Sequence, residues 1–279
     1  MRSTRFGLLL FVLVVVLSPD LFAQVANYPP VPPYSSLLVR PPTRDPQALE
    51  VLQTAITAMG GAALIGQIQS WQLQGQLQHT TTNGNEEGTF SWEAAGTEFR
   101  IQTVTPSGTN VIVTGHGTPG VVSAGKSQAM PAHVVRAMFV PALIGSVLLK
   151  EFQDPNCSVE SQNDTTLGSE SVKVVTTTVR SSQMEAMVTP QTWYFDSNSG
   201  LPVRVEYRLP GMVGPRLYVA SAHDFSNFQN VGGALYPFQI VTSRRGKQSD
   251  VVNLQSVIPN ATISPDDFNA MPTQPGGVQ

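Results

Sequence analysis

The chain has 279 residues, 41 % of them hydrophobic, and a formal charge of −3. That hydrophobic share supplies a packed core and excludes general disorder, while the acidic balance makes nucleic acid a poor partner. The single cysteine, Cys157, excludes an intramolecular disulfide framework, so the fold must rest on packing and sheet hydrogen bonds.

Arg2 and Arg5 precede an apolar run of 12 residues, Phe6 to Leu17, and Ala23 follows in a processing position. This is the order of a secretion signal, with cleavage expected near Ala23. The run is shorter than the roughly 20 residues that cross a bilayer, and no cysteine follows it to accept a lipid. The mature chain is therefore expected to be exported, periplasmic or secreted, and soluble. Loss of Arg2, Arg5 and Asp20, two positive charges and one negative, takes the formal charge from −3 to −4. A cysteine-poor exported chain reads as bacterial, which leaves the sequons at Asn156, Asn163 and Asn260 without glycosylation.

Residues 24–44 are expected to form a proline-rich spacer, because Pro29, Pro30, Pro32, Pro33, Pro41 and Pro42 enforce extended backbone. A single domain is expected over 45–279. Asp45 can cap a helix, Pro46 suits its first turn, and Leu49, Leu52, Ile56 and Met59 recur at helical spacing until Gly60-Gly61 stops the run. From Ser70 to Gln78 apolar residues alternate with glutamines, the period of a strand with one buried face. Further strands are predicted at 88–94, 98–104, 110–114, 170–179, 192–196, 202–208, 217–225, 236–243 and 251–258. Turn signals separate them at Asn83-Gly84, Pro106-Ser107-Gly108, Ser197 to Gly200 and Gly232-Gly233. Repeated hairpins of this kind build a curved antiparallel sheet.

Residues 131–152 break the pattern, being apolar on nearly every face with Pro141 in the middle. Two short helices bent at Pro141 are predicted. They form either a buried core helix pair or a lid over an apolar cavity.

The chemistry-bearing residues yield no site. Gly120 to Ser127 satisfies the phosphate-loop pattern, but its surroundings read as antiparallel hairpins, not the parallel strand and helix that such a loop needs. His79, His116, His133 and His223 lack metal-ligand spacing and read as surface or hairpin residues. The pair His223-Asp224 could orient an imidazole, yet no nucleophile with a flanking base accompanies it. Cys157 has no adjacent base. Asp266-Asp267 after Ser264-Pro265 marks a helix start. No catalytic residue, cofactor or metal is expected.

A helix, a long meander of curved strands, an apolar helical insert and more strands resemble the superfamily of periplasmic lipoprotein carriers, the LolA-like group with its LolB-like and RseB-like relatives. Phe99-Arg100, then Pro106 and a strand leading to Gly115-His116-Gly117, is similar to the group's Phe-Arg segment, proline and turn. Leu201 to Val205 resembles its post-turn strand, and Ile263 to Phe268 with Pro272 and Pro275-Gly276 its closing segment. Thr114 to Pro119 departs from the group's aspartate before the turn glycine and aromatic pair after it.

The resemblance implies an α+β half-barrel, a strongly curved antiparallel sheet whose concave face is plugged by helices. The implied cavity is lined by Leu73, Leu77, Phe90, Trp92, Phe99, Ile101, Val135, Met138, Phe139, Leu143 and Val147. Arg100 is the implied rim arginine, meeting a head group or closing the lid. The implied function is non-catalytic holding of a lipid, acyl chain or lipidated protein. The alternative is an RseB-like envelope sensor or scaffold that binds a protein partner while its own side chains fill the core.

Overall fold

A computed structural model describes residues 41–96, 98–114, 120–123, 126–129, 143–178, 190–210 and 218–269. The expected signal segment and nearly all of the spacer lie outside them. Two helices open the described chain, α1 (Pro46–Ala58) and α2 (Ala62–Gly66). Asp45 caps α1 by accepting a hydrogen bond from the Gln47 amide at 3.0 Å, and Pro46 occupies the first turn, where its missing N–H costs nothing.

The strands follow as β1 (Ser70–Thr81), β2 (Gly84–Ala95), β3 (Glu98–Thr105), β4 (Gly108–Thr114), β5 (Gly120–Ser123) and β6 (Lys126–Ala129). Helix α3 (Ile144–Gln153) then leads to β7 (Ser158–Ser161), β8 (Thr165–Leu167), β9 (Glu170–Thr178), β10 (Gln191–Asp196) and β11 (Pro202–Pro210). The last strands are β12 (Tyr218–Val231), β13 (Ala234–Arg244) and β14 (Lys247–Pro259), and a 3-10 turn, Pro265–Phe268, carries a capping box from Ser264 and Asp267.

Among the described residues these strands make one sheet in the order β6-β5-β4-β3-β2-β1-β14-β13-β12-β11-β10-β9-β7, with β8 paired to β9. Every strand pair is antiparallel, and β6 and β7 lie at opposite ends of that order, so the sheet is an open half-barrel, not a closed one. The hairpin meander β1 to β6 and the meander β9 to β14 join where β1 meets β14. At that seam the register slips between Gln74 and Gly75. A Cβ on Gly75 would sit 2.3 Å from the Asn253 carbonyl oxygen, so only glycine lets the two backbones approach there.

The predicted α1 and ten strands are present, most of them longer than their sequence signals. Strands β5 to β8, of three or four residues each, were too short to show a period. The β5–β6 hairpin is antiparallel and holds the phosphate-loop look-alike, which removes the geometry that would bind phosphate. In the apolar 131–152 segment α3 is the helix described, and the predicted bend at Pro141 lies outside the described residues.

Helix α1 packs on α3, β7 and β9, and α2 packs on α3. The buried core joins Leu52 and Ile56 of α1, Met59 at its C-cap and Leu148 of α3 to Trp71, Leu73, Trp92, Phe99, Trp193, Phe195 and Val205 of the sheet. Residues 43–45 are tied to β7. Val159 donates its amide to the Thr43 carbonyl at 2.7 Å, and the Asp45 amide donates to the Val159 carbonyl at 3.0 Å. Between them, Arg44 spreads its guanidinium over the C-terminal end of α3. It donates to the carbonyls of Glu151 and Asp154 at 3.0 Å each, of Cys157 at 3.2 Å, and of Phe152. The Glu151 and Phe152 carbonyls, in the last turn of α3, have no partner within the helix, and a cation there also meets the negative end of the helix dipole.

Candidate functional site: the inner face of the half-barrel

Side chains alternate across a strand, and directly paired residues share a face. Following the register from β14 outward, Val257 pairs with Leu73, Leu73 with Trp92, Trp92 with Ile101, Ile101 with Ile112, and Ile112 with Val121. One apolar row thus crosses six strands on the face that carries the core. Val257, Leu73 and Trp92 are buried, whereas Ile101, Ile112 and Val121 are only half-buried. Phe90 lies on the same face, paired with Gly75, as do Leu77 and Phe99.

Six of the residues expected to line a cavity, Leu73, Leu77, Phe90, Trp92, Phe99 and Ile101, are therefore brought together on one face. Leu143 is buried just before α3, and Val147 of α3 is half-buried against the same core. Val135, Met138 and Phe139 lie outside the described residues. Arg100 is placed differently from the expectation. It pairs with Glu93 and so projects from the opposite face, where it donates to Gln102 at 3.2 Å. The alternation that puts Phe99 and Ile101 inside puts Arg100 outside, so it does not reach the inner face as a rim residue.

Toward β11 to β13 the inner face turns polar. His223 is 6 % exposed, which corrects its reading as a surface residue. Its Nε2 lies 2.6 Å from the Tyr207 hydroxyl and its Nδ1 lies 3.1 Å from the Thr242 hydroxyl. Burial, helped by the charges of Arg244 and Arg204, pushes its pKa down to about 3, so the ring is neutral with both nitrogens engaged. Asp224 does not orient it. As the next strand residue it faces the other way and accepts from Arg204 at 2.6 Å. His79 stands 2.7 Å from Asp250 at the end of β1.

Burial, with a smaller contribution from the neighbouring Glu151, raises the Cys157 thiol to about 12, so it offers no thiolate. Among the described residues no group of three or more His, Cys, Asp or Glu could hold a metal ion. Between α2 and α3 lies an open groove of about 410 Å³ whose lining includes Ile65, Ile68, Leu149, Lys150 and Asp154.

One further polar group sits behind the helices. Glu151 of α3, Thr177 of β9 and Gln191 and Trp193 of β10 are each nine-tenths or more buried. Burial raises the Glu151 carboxyl to about 8, although Thr177, Trp193 and the Lys150 charge favour its ionised form. Glu151 Oε2, Thr177 Oγ1, Gln191 Oε1 and Trp193 Nε1 complete no hydrogen bond of ordinary geometry. Nothing in the sequence flagged this group, because its members lie on three elements and each looks like an ordinary amphipathic position.

By sequence, no family model and no curated protein matches this chain. By structure, it is similar to a LolA superfamily protein from Nitrosomonas europaea, with a TM-score of 0.50 and 11 % identity over 80 % of this chain and 97 % of that one. The chain has the LolA fold. It is similar to the same degree to a DUF1329 family protein from Desulfovibrio piger, with a TM-score of 0.50 and 11 % identity over 81 % of this chain and 98 % of that one. The open antiparallel sheet with helices against one face is what these structures share, at only 11 % sequence identity.

Proposed function

We propose that this is an exported, non-catalytic binding protein that holds a lipid, an acyl chain or a lipidated protein against the inner face of its half-barrel. The observation that carries the reading is the row Leu73, Trp92, Ile101, Ile112 and Val121, whose outer members remain half-exposed on a concave apolar face. A half-covered apolar row of that length favours burial against another apolar surface, and an acyl chain has the slender shape that lies along a row. On that face His223 is neutral, Cys157 is inert and Arg100 points away, and among the described residues no hydroxyl or thiol hydrogen-bonds the His79 ring, which pairs with Asp250. Export follows from the N-terminal pattern of basic residues, apolar run and Ala23, and no helix among the described residues is long and apolar enough to cross a membrane.

The test is native mass spectrometry of protein purified gently from a bacterial periplasm, followed by organic extraction. A stoichiometric acyl-containing ligand that disappears in Ile101→Asp and Ile112→Asp variants is the expected result. Wild-type protein that carries no lipid and takes none from vesicles overturns the reading, and leaves the scaffold that binds a protein partner.

A further inference from the structure

The buried group on α3, β9 and β10 places a carboxyl among neutral side chains, out of reach of water. Glu151 Oε2, Thr177 Oγ1, Gln191 Oε1 and Trp193 Nε1 are all enclosed by protein and complete no hydrogen bond, so a charge on the carboxyl has neither water nor a full set of donors to compensate it. With Glu151 ionised, the Thr177 hydroxyl and the Trp193 indole can both turn their protons to the carboxylate, but these neutral donors replace only part of its lost hydration, and Gln191 Oε1, across the β9–β10 pair from Thr177, loses Thr177 as a donor. With Glu151 protonated the group closes. Trp193 N–H donates to one carboxyl oxygen, the carboxyl O–H donates to Thr177, and Thr177 donates to Gln191.

We propose that Glu151 is a proton-operated latch: as a neutral acid it fastens α3 to β9 and β10, and its ionisation loosens α3 from the sheet. Charges near the carboxyl do not supply a dedicated counter-ion. Lys150 is the next residue on α3 and is exposed, and Arg44 spends its donors on the backbone carbonyls of Glu151, Phe152, Asp154 and Cys157. The Cys157 thiol stays neutral, and Asp154 adds only like charge beyond the helix end. From β9 and β10 the carboxyl meets Thr177, Gln191 and Trp193, none of them charged. The buried acid near its ordinary range would be intolerable here, and its upward shift agrees with the geometry. The latch is independent of what the inner face holds, but α3 borders that face, so releasing α3 changes how well it is covered.

The experiment is amide hydrogen exchange of residues 144–153 from pH 6.5 to 9.5, with the intrinsic pH dependence divided out, on wild type and Glu151→Gln. Protection in wild type is expected to fall at least tenfold through the alkaline range, while the non-titrating Gln variant stays flat. Equal profiles in the two proteins, or no fall in wild type, overturn the proposal. If the Gln variant does not fold, the carboxyl carbon of Glu151 is titrated by NMR in wild type. A midpoint above 7 supports the latch and one below 6 overturns it.

Discussion

Removing the Arg44 side chain tests how the N-terminal segment holds the helical layer. Arg44→Ala strips donors from four carbonyls at the end of α3, those of Glu151, Phe152, Asp154 and Cys157. Each hydrogen bond in such a setting contributes about 1 kcal/mol net, and a cation at a helix C-terminus adds about 0.5 kcal/mol. Because Arg44 is half-buried, water replaces part of what is lost, so the expected destabilisation is about 3 kcal/mol. For a domain of this size that corresponds to a Tm lower by roughly 6–12 °C. Arg44→Lys places its donors on one nitrogen instead of two and should recover about half of the loss. Urea unfolding gives the measurement, with the midpoint shifting and the slope unchanged. A loss under about 1 kcal/mol in the Ala variant, or a Lys variant equal to wild type, would refute the view that the guanidinium fork is the clamp.

Two buried groups should give opposing pH dependences. The Glu151 carboxyl has a folded pKa of about 8 against an ordinary 4.5, so its contribution is complete below pH 4.5 and is lost as pH rises toward 8, up to about 5 kcal/mol in all. His223, held near 3 against an ordinary 6.5, acts in the other direction, its contribution being complete above pH 6.5 and lost as pH falls toward 3. Between pH 4.5 and 6.5 the two slopes nearly cancel, so Glu151→Gln should make stability rise with pH by about 1 kcal/mol per unit in that window, measured by urea unfolding. A flat profile in the Gln variant would count against a neutral buried His223. Gly75→Ala puts a Cβ against the Asn253 carbonyl and the Leu254 Cα, and should cost about 2–4 kcal/mol by the same assay. The same substitution at Gly84, where nothing lies within 4 Å, should cost only the strain of its positive φ, about 1 kcal/mol. Equal losses at the two sites would show that the bulge is not sterically closed.

Much of the architecture could be read along the chain. The glutamine-alternating run of β1, the Asp45-Pro46 start of α1 and the Asn83-Gly84 and Gly232-Gly233 turns each carry their structural reason within a few residues, because period and turn chemistry are local. The identity of the inner row was half legible. The family resemblance put Leu73, Trp92 and Ile101 on one face, but only the register added Ile112 and Val121 to them, and the same register moved Arg100 to the other side. Long-range pairings were not legible at all. The union of β1 with β14, the reach of Arg44 to the end of α3 and the gathering of Glu151, Thr177, Gln191 and Trp193 depend on contacts between residues far apart in sequence, and no local pattern encodes a distant partner. His223 shows the limit most plainly. A histidine beside an aspartate looks the same in sequence whether the pair shares a face or straddles a sheet, and the strand's two-residue period, fixed only once β12 had formed, separated them.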